Sequence, residues 1–201
     1  MNEAWTKDNN GRLHALHGRI PSHAAGVVIV DLESLADNWR ALQSHVAPAK
    51  CGAVIKANAY GLGVAGVAPA LASAGADSFF VATLEEATEV KARAPGATVY
   101  VLNGIFPGAA AAMIECGAVP VLSSLPEVAE WGQAAPSRQQ PLPCALHVDT
   151  GHNRLGLSAA ELQQLAANMH MLDRLDVKLV MSHLACADEP GHQKNQQQRE
   201  I

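Results

Sequence analysis

The chain has few aromatic residues, few charges, no paired cysteine motif and no long apolar run. Aromatics make up 4% of its 201 residues: three Phe, two Tyr and three Trp. Small aliphatics must therefore build the core, led by 37 alanines. Charged residues are 16%, well below the roughly 25% of ordinary globular chains. Fourteen Lys and Arg against 19 Asp and Glu leave a net charge of −5. That excludes the basic footprint of a nucleic-acid-binding protein and opposes an anionic membrane surface. Cys51, Cys116, Cys144 and Cys186 lie far apart with no CxxC; they read as reduced, buried, core-filling thiols of a cytoplasmic protein. No stretch approaches the roughly 18 apolar residues of a membrane helix. Residues 1–23 are polar and hold no secretory h-region. Sixteen Gly and 11 Pro are an ordinary share, which excludes collagen-like and low-complexity chains. Low charge with abundant Ala, Val and Leu opposes disorder.

The length fits one domain, or one plus an appendage. Residues 1–25 show no periodicity and read as a disordered tail, in which His14, His17 and His23 imply no fixed metal geometry. Residues 27–30, Val-Val-Ile-Val, read as a strand. A helix follows over 31–43, with Leu32, Leu35, Trp39 and Leu42 on one stripe. A unit then repeats. Apolar runs at 53–57, 79–82, 99–102, 119–122, 145–148 and 177–181 are short and continuous rather than alternating. That pattern predicts strands buried on both faces, as in a parallel sheet. Helical stretches lie between them at 64–74, 84–93, 108–116, 125–132 and 159–169, with a last helix from near Glu189. Gly75 and Gly117 stand where C-terminal glycine caps belong, and Ser158 with Glu161 forms a capping box. The glutamines at 193 and 196–198 read as that last helix's exposed face. The order is six βα units, an α/β fold. A (β/α) barrel closes with eight strands, so the chain reads as part of something longer.

The densest chemical signal is Ala53-Val54-Ile55-Lys56-Ala57-Asn58-Ala59-Tyr60-Gly61. A lysine inside an apolar strand is costly unless paired or functional. It is either an edge-strand lysine that snorkels or a desolvated amine of the kind that forms Schiff bases. Gly61-Leu62-Gly63-Val64-Ala65-Gly66 matches GxGxxG, with Glu85 and Glu86 placed roughly where a ribose-binding acid would belong. A dinucleotide turn follows its strand directly, however, and here Lys56, Asn58 and Tyr60 intervene. Residues 53–56 imitate a kinase lysine strand, without a preceding glycine loop, HRD or DFG. His183, Cys186 and His192 offer three soft ligands without a fourth, so no metal is expected.

Val54-Ile55-Lys56-Ala57-Asn58-Ala59-Tyr60-Gly61 resembles the lysine motif of bacterial alanine racemases. These are pyridoxal 5'-phosphate (PLP) enzymes with an N-terminal (β/α)8 barrel of TIM type and a C-terminal β domain. Val148-Asp149-Thr150-Gly151-His152-Asn153-Arg154-Leu155-Gly156 resembles the family's arginine motif. Ser182-His183-Leu184-Ala185-Cys186-Ala187-Asp188 resembles its histidine motif at the end of barrel strand six, and Val30-Asp31-Leu32 with Asn38 its opening strand and helix. The resemblance implies that residues 26–201 are the N-terminal part of the barrel, about six βα units preceded by one strand and helix, and that the C-terminal β domain is absent from this chain. It implies that Lys56 holds PLP covalently and serves as the base on the D-alanine face. It places Tyr60 at the cofactor's phosphate region, His183 close to the PLP ring, and Arg154 on the substrate carboxylate, which a planar guanidinium suits.

The implied activity is interconversion of L-alanine and D-alanine, supplying D-alanine for peptidoglycan. The implied partners are a small-molecule substrate and, in the full-length protein, a second copy as a homodimer, with no nucleic acid and no membrane. Racemisation uses two acid–base groups, one on each face of a planar carbanion. In the family the second is a tyrosine of the C-terminal domain, working across the dimer interface. It is absent here, as are the arginine facing the pyridine nitrogen and most phosphate ligands. His147 stands where some members carry a carbamylated lysine, and Leu62 where many carry histidine. Read singly, Tyr60 is a strand-end aromatic, Arg154 a surface ion pair and His183 a satisfied core histidine. The other readings are a non-catalytic PLP-binding barrel, a dinucleotide-binding domain and an inactive fragment.

Overall fold

The structure, a computed structural model, describes residues 5–7, 13–15, 25 and 28–201. The chain divides into two units, Met1–Asp31 and Leu32–Ile201. In the first, β1 (Trp5–Lys7) and β2 (Leu13–Ala15) pair antiparallel, so the stretch read as a tail contains a two-stranded ladder. His17, His23 and the side chain of His14 lie outside the described residues, as does Val27. Residues 28–30 are not a strand, and Val28 is 88% exposed. The β-branched run has strand propensity, but a strand exists only with a partner to take its backbone hydrogen bonds.

The second unit opens with helix α1 (Leu32–Val46). Six parallel strands follow: β3 (Ala53–Val54), β4 (Ser78–Val81), β5 (Thr98–Val101), β6 (Val119–Leu122), β7 (Leu142–His147) and β8 (Leu175–Met181). They form one sheet in sequence order, β3-β4-β5-β6-β7-β8. Helices α2 (Val64–Ala74), α3 (Leu84–Arg93), α4 (Ala110–Cys116), α5 (Leu125–Ala134), α6 (Ala159–Ala167) and α7 (Gln193–Glu200) follow the strands one by one. These are the six βα units expected, laid side by side as in a TIM-type barrel.

Local chemistry sets the boundaries. Thr83 and Ser158 cap α3 and α6 in full capping boxes with Glu86 and Glu161, and Ser124 caps α5. Gly75 and Gly117 end α2 and α4 in the left-handed conformation. The expected helix over 159–169 stops at Ala167 and tightens into a 3-10 turn, Met169–Leu172. The last helix starts at Gln193 rather than near Glu189, because Pro190 and Gly191 intervene and His192 caps it through the Lys194 N–H.

The sheet separates two apolar layers. On the helix side Phe79, Val81, Val99, Val101, Leu122 and Leu146 pack with Val90, Met113, Trp131 and Leu157. On the other side Tyr100, Val119, Val121 and Ala145 meet Phe80, Leu102, Leu179 and Met181. Adjacent Phe79 and Phe80 serve opposite layers, as alternation along a strand requires; Phe80 stacks on Tyr100 with ring centroids 4.8 Å apart. Every residue of β6 is buried, whereas on the edge strands Val54 is 46% and Val180 62% exposed. Burial on both faces therefore holds for the middle of the sheet and fails at its edges.

Of the four thiols, only Cys144 is fully buried; Cys51, Cys116 and Cys186 are half-buried, which corrects the expectation for those three. Burial, followed by the Asp176 charge, pushes the Cys144 thiol up to about 12, so it carries almost no thiolate near neutrality. Iodoacetamide on the native protein at pH 8 is therefore expected to spare Cys144 while modifying the other cysteines. Peptide mass mapping checks this, and early labelling of Cys144 would contradict the packing of β7.

Candidate active site

The site is built on loops that leave the C-terminal ends of parallel strands. The first carries Lys56. The expected strand over 53–57 is only two residues long, so Lys56 does not lie inside a strand but opens the turn behind it. Ala57, Asn58, Ala59 and Tyr60 have φ values of 52°, 53°, 54° and 53°. Four consecutive residues with side chains thus occupy the left-handed region, at about 1–2 kcal/mol each. Such strain persists where the surroundings over-determine it.

The surroundings do so here. The Ala59 N–H donates to Ile55 O at 2.9 Å, the Gly61 N–H to Ala57 O at 3.0 Å, and the Gly63 N–H to Asn58 O at 3.0 Å. Asn58 Oδ1 accepts from the Val64 N–H at 2.8 Å and so joins the turn to α2. Glu86 Oε1 accepts from the Ala57 N–H at 2.7 Å. Ala59 is buried and pins the turn into the core. The result is a half-buried Lys56 at a fixed strand end and a Tyr60 that is 63% exposed.

The second loop follows β7. Val148 and Leu157 bridge, and the Leu157 N–H donates to His147 O at 2.7 Å, so residues 149–156 form a closed bracket. Asp149 Oδ1 accepts from the Gly151 and Asn153 N–H groups at 2.9 and 3.0 Å, and these bonds hold its carboxyl below the usual range. Gly156 has φ of 107°, and a Cβ there would meet Asp149 N at 2.7 Å, so only glycine closes the bracket. Arg154 is exposed on this loop and lines a cleft of about 320 Å³ with Asn103, Ser123, Ser124, Glu127 and Leu155. Among the described residues no carboxylate pairs with Arg154, against the surface ion pair its simplest reading supposes.

The third loop follows β8 and carries His183. The Thr150 and Ser182 hydroxyls lie 2.6 Å apart, joining it to the arginine loop. Gln198 of α7 completes the joint. Its Nε2 donates to His183 O at 3.0 Å and to Thr150 Oγ1 at 3.2 Å, and its Oε1 accepts from the Ala185 N–H at 2.8 Å. Gln198 is 5% exposed, a correction to the reading of 193–199 as a solvated face. Asn195, three residues earlier, donates to Cys186 O and Glu189 O at 2.9 Å. Positions 195 and 198 share a helix face. That spacing is the sequence signal for a polar inner side, which glutamine content alone hides.

The electrostatics are one-sided. The His152 and His183 rings stand 4.8 Å apart at 37°. Burial, then the charges of His152, Arg154 and Lys56, lower the proton affinity of His183. Burial, then His183, does the same at His147, with Asp149 opposing. Lys56, Arg154 and His183, from three distant segments, therefore share one electrostatic neighbourhood. The buried Nε2 atoms of His147 and His152 find no hydrogen-bond partner among the described residues. Such a cluster is matched to an anion, a phosphate or a carboxylate. His183, Cys186 and His192 do not converge into a metal centre; among the described residues no three such side chains do.

Because the fold favours neutral His147 and His183, the unfolded chain binds protons first as pH falls below about 6.5. Their stabilisation is complete above that pH and is lost as pH drops through the lowered folded-state values. Thermal melts from pH 7.5 to 5.5 are expected to show the midpoint falling, with a shallower fall in His147→Asn. An unchanged slope in that variant would remove His147 from the account.

Residues 30–201 match the family model described as the alanine racemase N-terminal domain. The chain is 53% identical over 170 residues to an alanine racemase of Methylobacterium nodulans, covering 85% of this chain and 45% of that protein. It is 46% identical over 175 residues to one from Rhizobium meliloti, covering 87% of this chain and 46% of that one. A solved alanine racemase of Bartonella henselae with covalently bound pyridoxal phosphate superposes with a TM-score of 0.81 at 38% identity, over 84% of this chain and 49% of that one. The chain thus spans about half the length of the relatives it matches. With its motifs on the strand ends where a barrel site belongs, the chain is a member of the alanine racemase N-terminal domain family.

Proposed function

We propose that this barrel segment serves a PLP-dependent alanine racemase, interconverting L-alanine and D-alanine. What supports the reading most is that Lys56, Arg154 and His183 stand on loops leaving the C-terminal ends of β3, β7 and β8 of one parallel sheet, with the charges of Arg154 and Lys56 both disfavouring the proton on His183. The site fits the cofactor. It offers a half-buried primary amine at a rigid strand end, unpaired imidazole nitrogens, and excess positive charge for a phosphate and a carboxylate. The solved Bartonella henselae relative carries its pyridoxal phosphate covalently.

In this reading Lys56 Nζ holds the cofactor covalently, with loss of one water from amine and aldehyde. When bound, PLP supplies an electron sink for the pair left as the substrate's α-proton departs. The substrate's amine would take the place of Lys56 on that group, and the freed Lys56 Nζ would take or return the proton on the D-alanine face. Arg154 binds and orients the substrate carboxylate, so the Cα–H bond is presented to Nζ. His183 would stand close to the cofactor ring and, favoured neutral, would add no second full charge beside Lys56. Tyr60 flanks the phosphate region. The opposite face needs a second proton donor, supplied in this reading by a tyrosine of the C-terminal domain of a second copy, making the working unit a homodimer. D-alanine for peptidoglycan, made in the cytoplasm, is the corresponding cellular role. No helix among the described residues is long and apolar enough to cross a membrane.

Borohydride reduction of the PLP-treated protein, followed by peptide mapping, is expected to place the pyridoxyl group on Lys56. Lys50, Lys91 and Lys178 line a separate cavity of about 770 Å³ at the N-terminal ends of the strands, and a label on any of them would overturn the assignment. Arg154→Ala is expected to reduce kcat/KM for alanine by roughly ten- to a hundredfold, the loss of a charge-assisted contact worth about 1.5–3 kcal/mol, while PLP retention changes little. A variant that loses PLP but keeps normal kcat/KM when the cofactor is restored would contradict the carboxylate role. A protein that takes PLP on Lys56 yet does not racemise alanine would be the non-catalytic carrier instead.

A further inference from the structure

Helices α3, α5 and α6 begin with the same device. Glu86, Glu127 and Glu161 each stand three residues after a capping hydroxyl, that of Thr83, Ser124 or Ser158. One carboxylate oxygen serves the start of the residue's own helix. Glu86 Oε2 accepts from the Ala82 and Thr83 N–H groups at 2.7 and 3.4 Å. Glu127 Oε2 accepts from the Ser123 N–H at 2.7 Å, and Glu161 Oε2 from the Ser158 N–H at 3.0 Å. The second oxygen reaches back to an earlier βα unit. Glu161 Oε1 accepts from the Leu125 N–H at 3.3 Å. Glu127 Oε1 lies against Gly104, so close that a Cβ there would sit 2.0 Å from it. Glu86 Oε1 takes the Ala57 N–H at 2.7 Å. Glu161 bonds ordinary backbone and Glu127 packs against it; the third carboxylate bonds the residue that follows Lys56.

We infer that Glu86 is the positioning residue for Lys56, fixing the left-handed turn that aims the lysine amine, and this rests on the function proposed for Lys56. Ala57 is the first of the four left-handed residues. Its N–H, like those at any helix start, has no acceptor within the turn. Glu86 provides one and anchors it through Ala82 and Thr83 to the end of β4 and the start of α3. Without that bond Ala57 is free to relax toward the broad extended region, which rotates the backbone on the C-terminal side of Lys56 and swings its side chain. The site calls for a carboxylate, because three N–H donors face it. A glutamine amide presents an NH2 to at least one of them, and aspartate, one methylene shorter, does not span both ends.

The test uses the intact protein and three readouts: amide hydrogen exchange of the peptide holding Ala57 without cofactor, the rate at which added PLP becomes bound to Lys56, and the melting temperature. Glu161→Gln is the comparison, since it cuts the same lacing away from the lysine turn. Glu86→Gln is expected to exchange the Ala57 amide faster and to attach PLP more slowly, each by about tenfold or more. Glu161→Gln is expected to lower the melting temperature to a similar degree while leaving both rates within about twofold of the unsubstituted protein. Should Glu86→Gln fail to fold, Glu86→Asp gives the same comparison. Attachment and exchange at unsubstituted rates in the Glu86 variant, or equal changes of both rates in Glu161→Gln, would overturn the role of Glu86. If the unsubstituted protein takes no PLP on Lys56, the functional reading itself falls, whatever the exchange data show.

Discussion

All six strands of the second unit run parallel, and the rest of the site depends on that constraint. Parallel strands in sequence order put every strand-to-helix loop at one end of the sheet. Residues more than a hundred positions apart, Lys56 and His183, are thereby delivered to the same place without any long loop to carry them. The helices that return the chain bury the outer layer around Trp131, Phe79 and Met113, each about 1% exposed or less. That layer makes the strand ends rigid enough to hold strained loops. The opposite end of the sheet carries its own lysines, but Lys50 is paired with Asp77 at 2.6 Å and exposed, an ordinary solvated ion pair worth little.

Rigidity matters because the site brings like charges together. Lys56, Arg154 and three imidazoles repel one another when protonated, and the structure answers by disfavouring the proton on His147 and His183. Among the described residues no carboxylate forms an ion pair with Lys56 or Arg154. The carboxylates on these loops are committed elsewhere: Asp149 to backbone N–H groups of its own loop and Glu86 to the N–H groups of Ala57, Ala82 and Thr83. The charge imbalance is therefore a feature held in place by geometry. Repulsion would push the loops apart; hydrogen bonds through Gln198, Thr150 and Ser182 oppose that by tying two of them together.

The alternation of apolar runs and capped helices was legible because strand burial and capping are local chemistry. Continuous runs such as Val119 to Leu122 announce two buried faces, and Ser158 with Glu161 announces a helix start whatever surrounds it. The same logic misplaced two elements. Residues 27–30 have strand propensity, yet 28–30 gain no strand pairing, because pairing belongs to two segments and propensity to one. The run at 53–57 is apolar throughout, yet its strand ends at Val54, because the backbone turns left-handed for reasons no side chain in the run displays.

The sequence by itself determined the repeat, the helix ends and the identity of the chemical groups: a lysine, an arginine and a histidine in three separate motifs, in a chain too poor in charge to spend them idly. Glu86 was visible only as an acid at a suggestive distance from a glycine motif, pointing to the wrong chemistry, and Gln198 only as one glutamine among several. The tertiary structure alone decided what those two do. A carboxylate at the third position of a helix with a hydroxyl cap can serve that helix start, but which neighbouring loop its second oxygen reaches depends on which strand lies alongside. A glutamine on a polar helix is buried only if the fold turns that face inward. Local rules govern bonds made within a few residues; bonds between segments exist only once parallel strand pairing has set their separation in space.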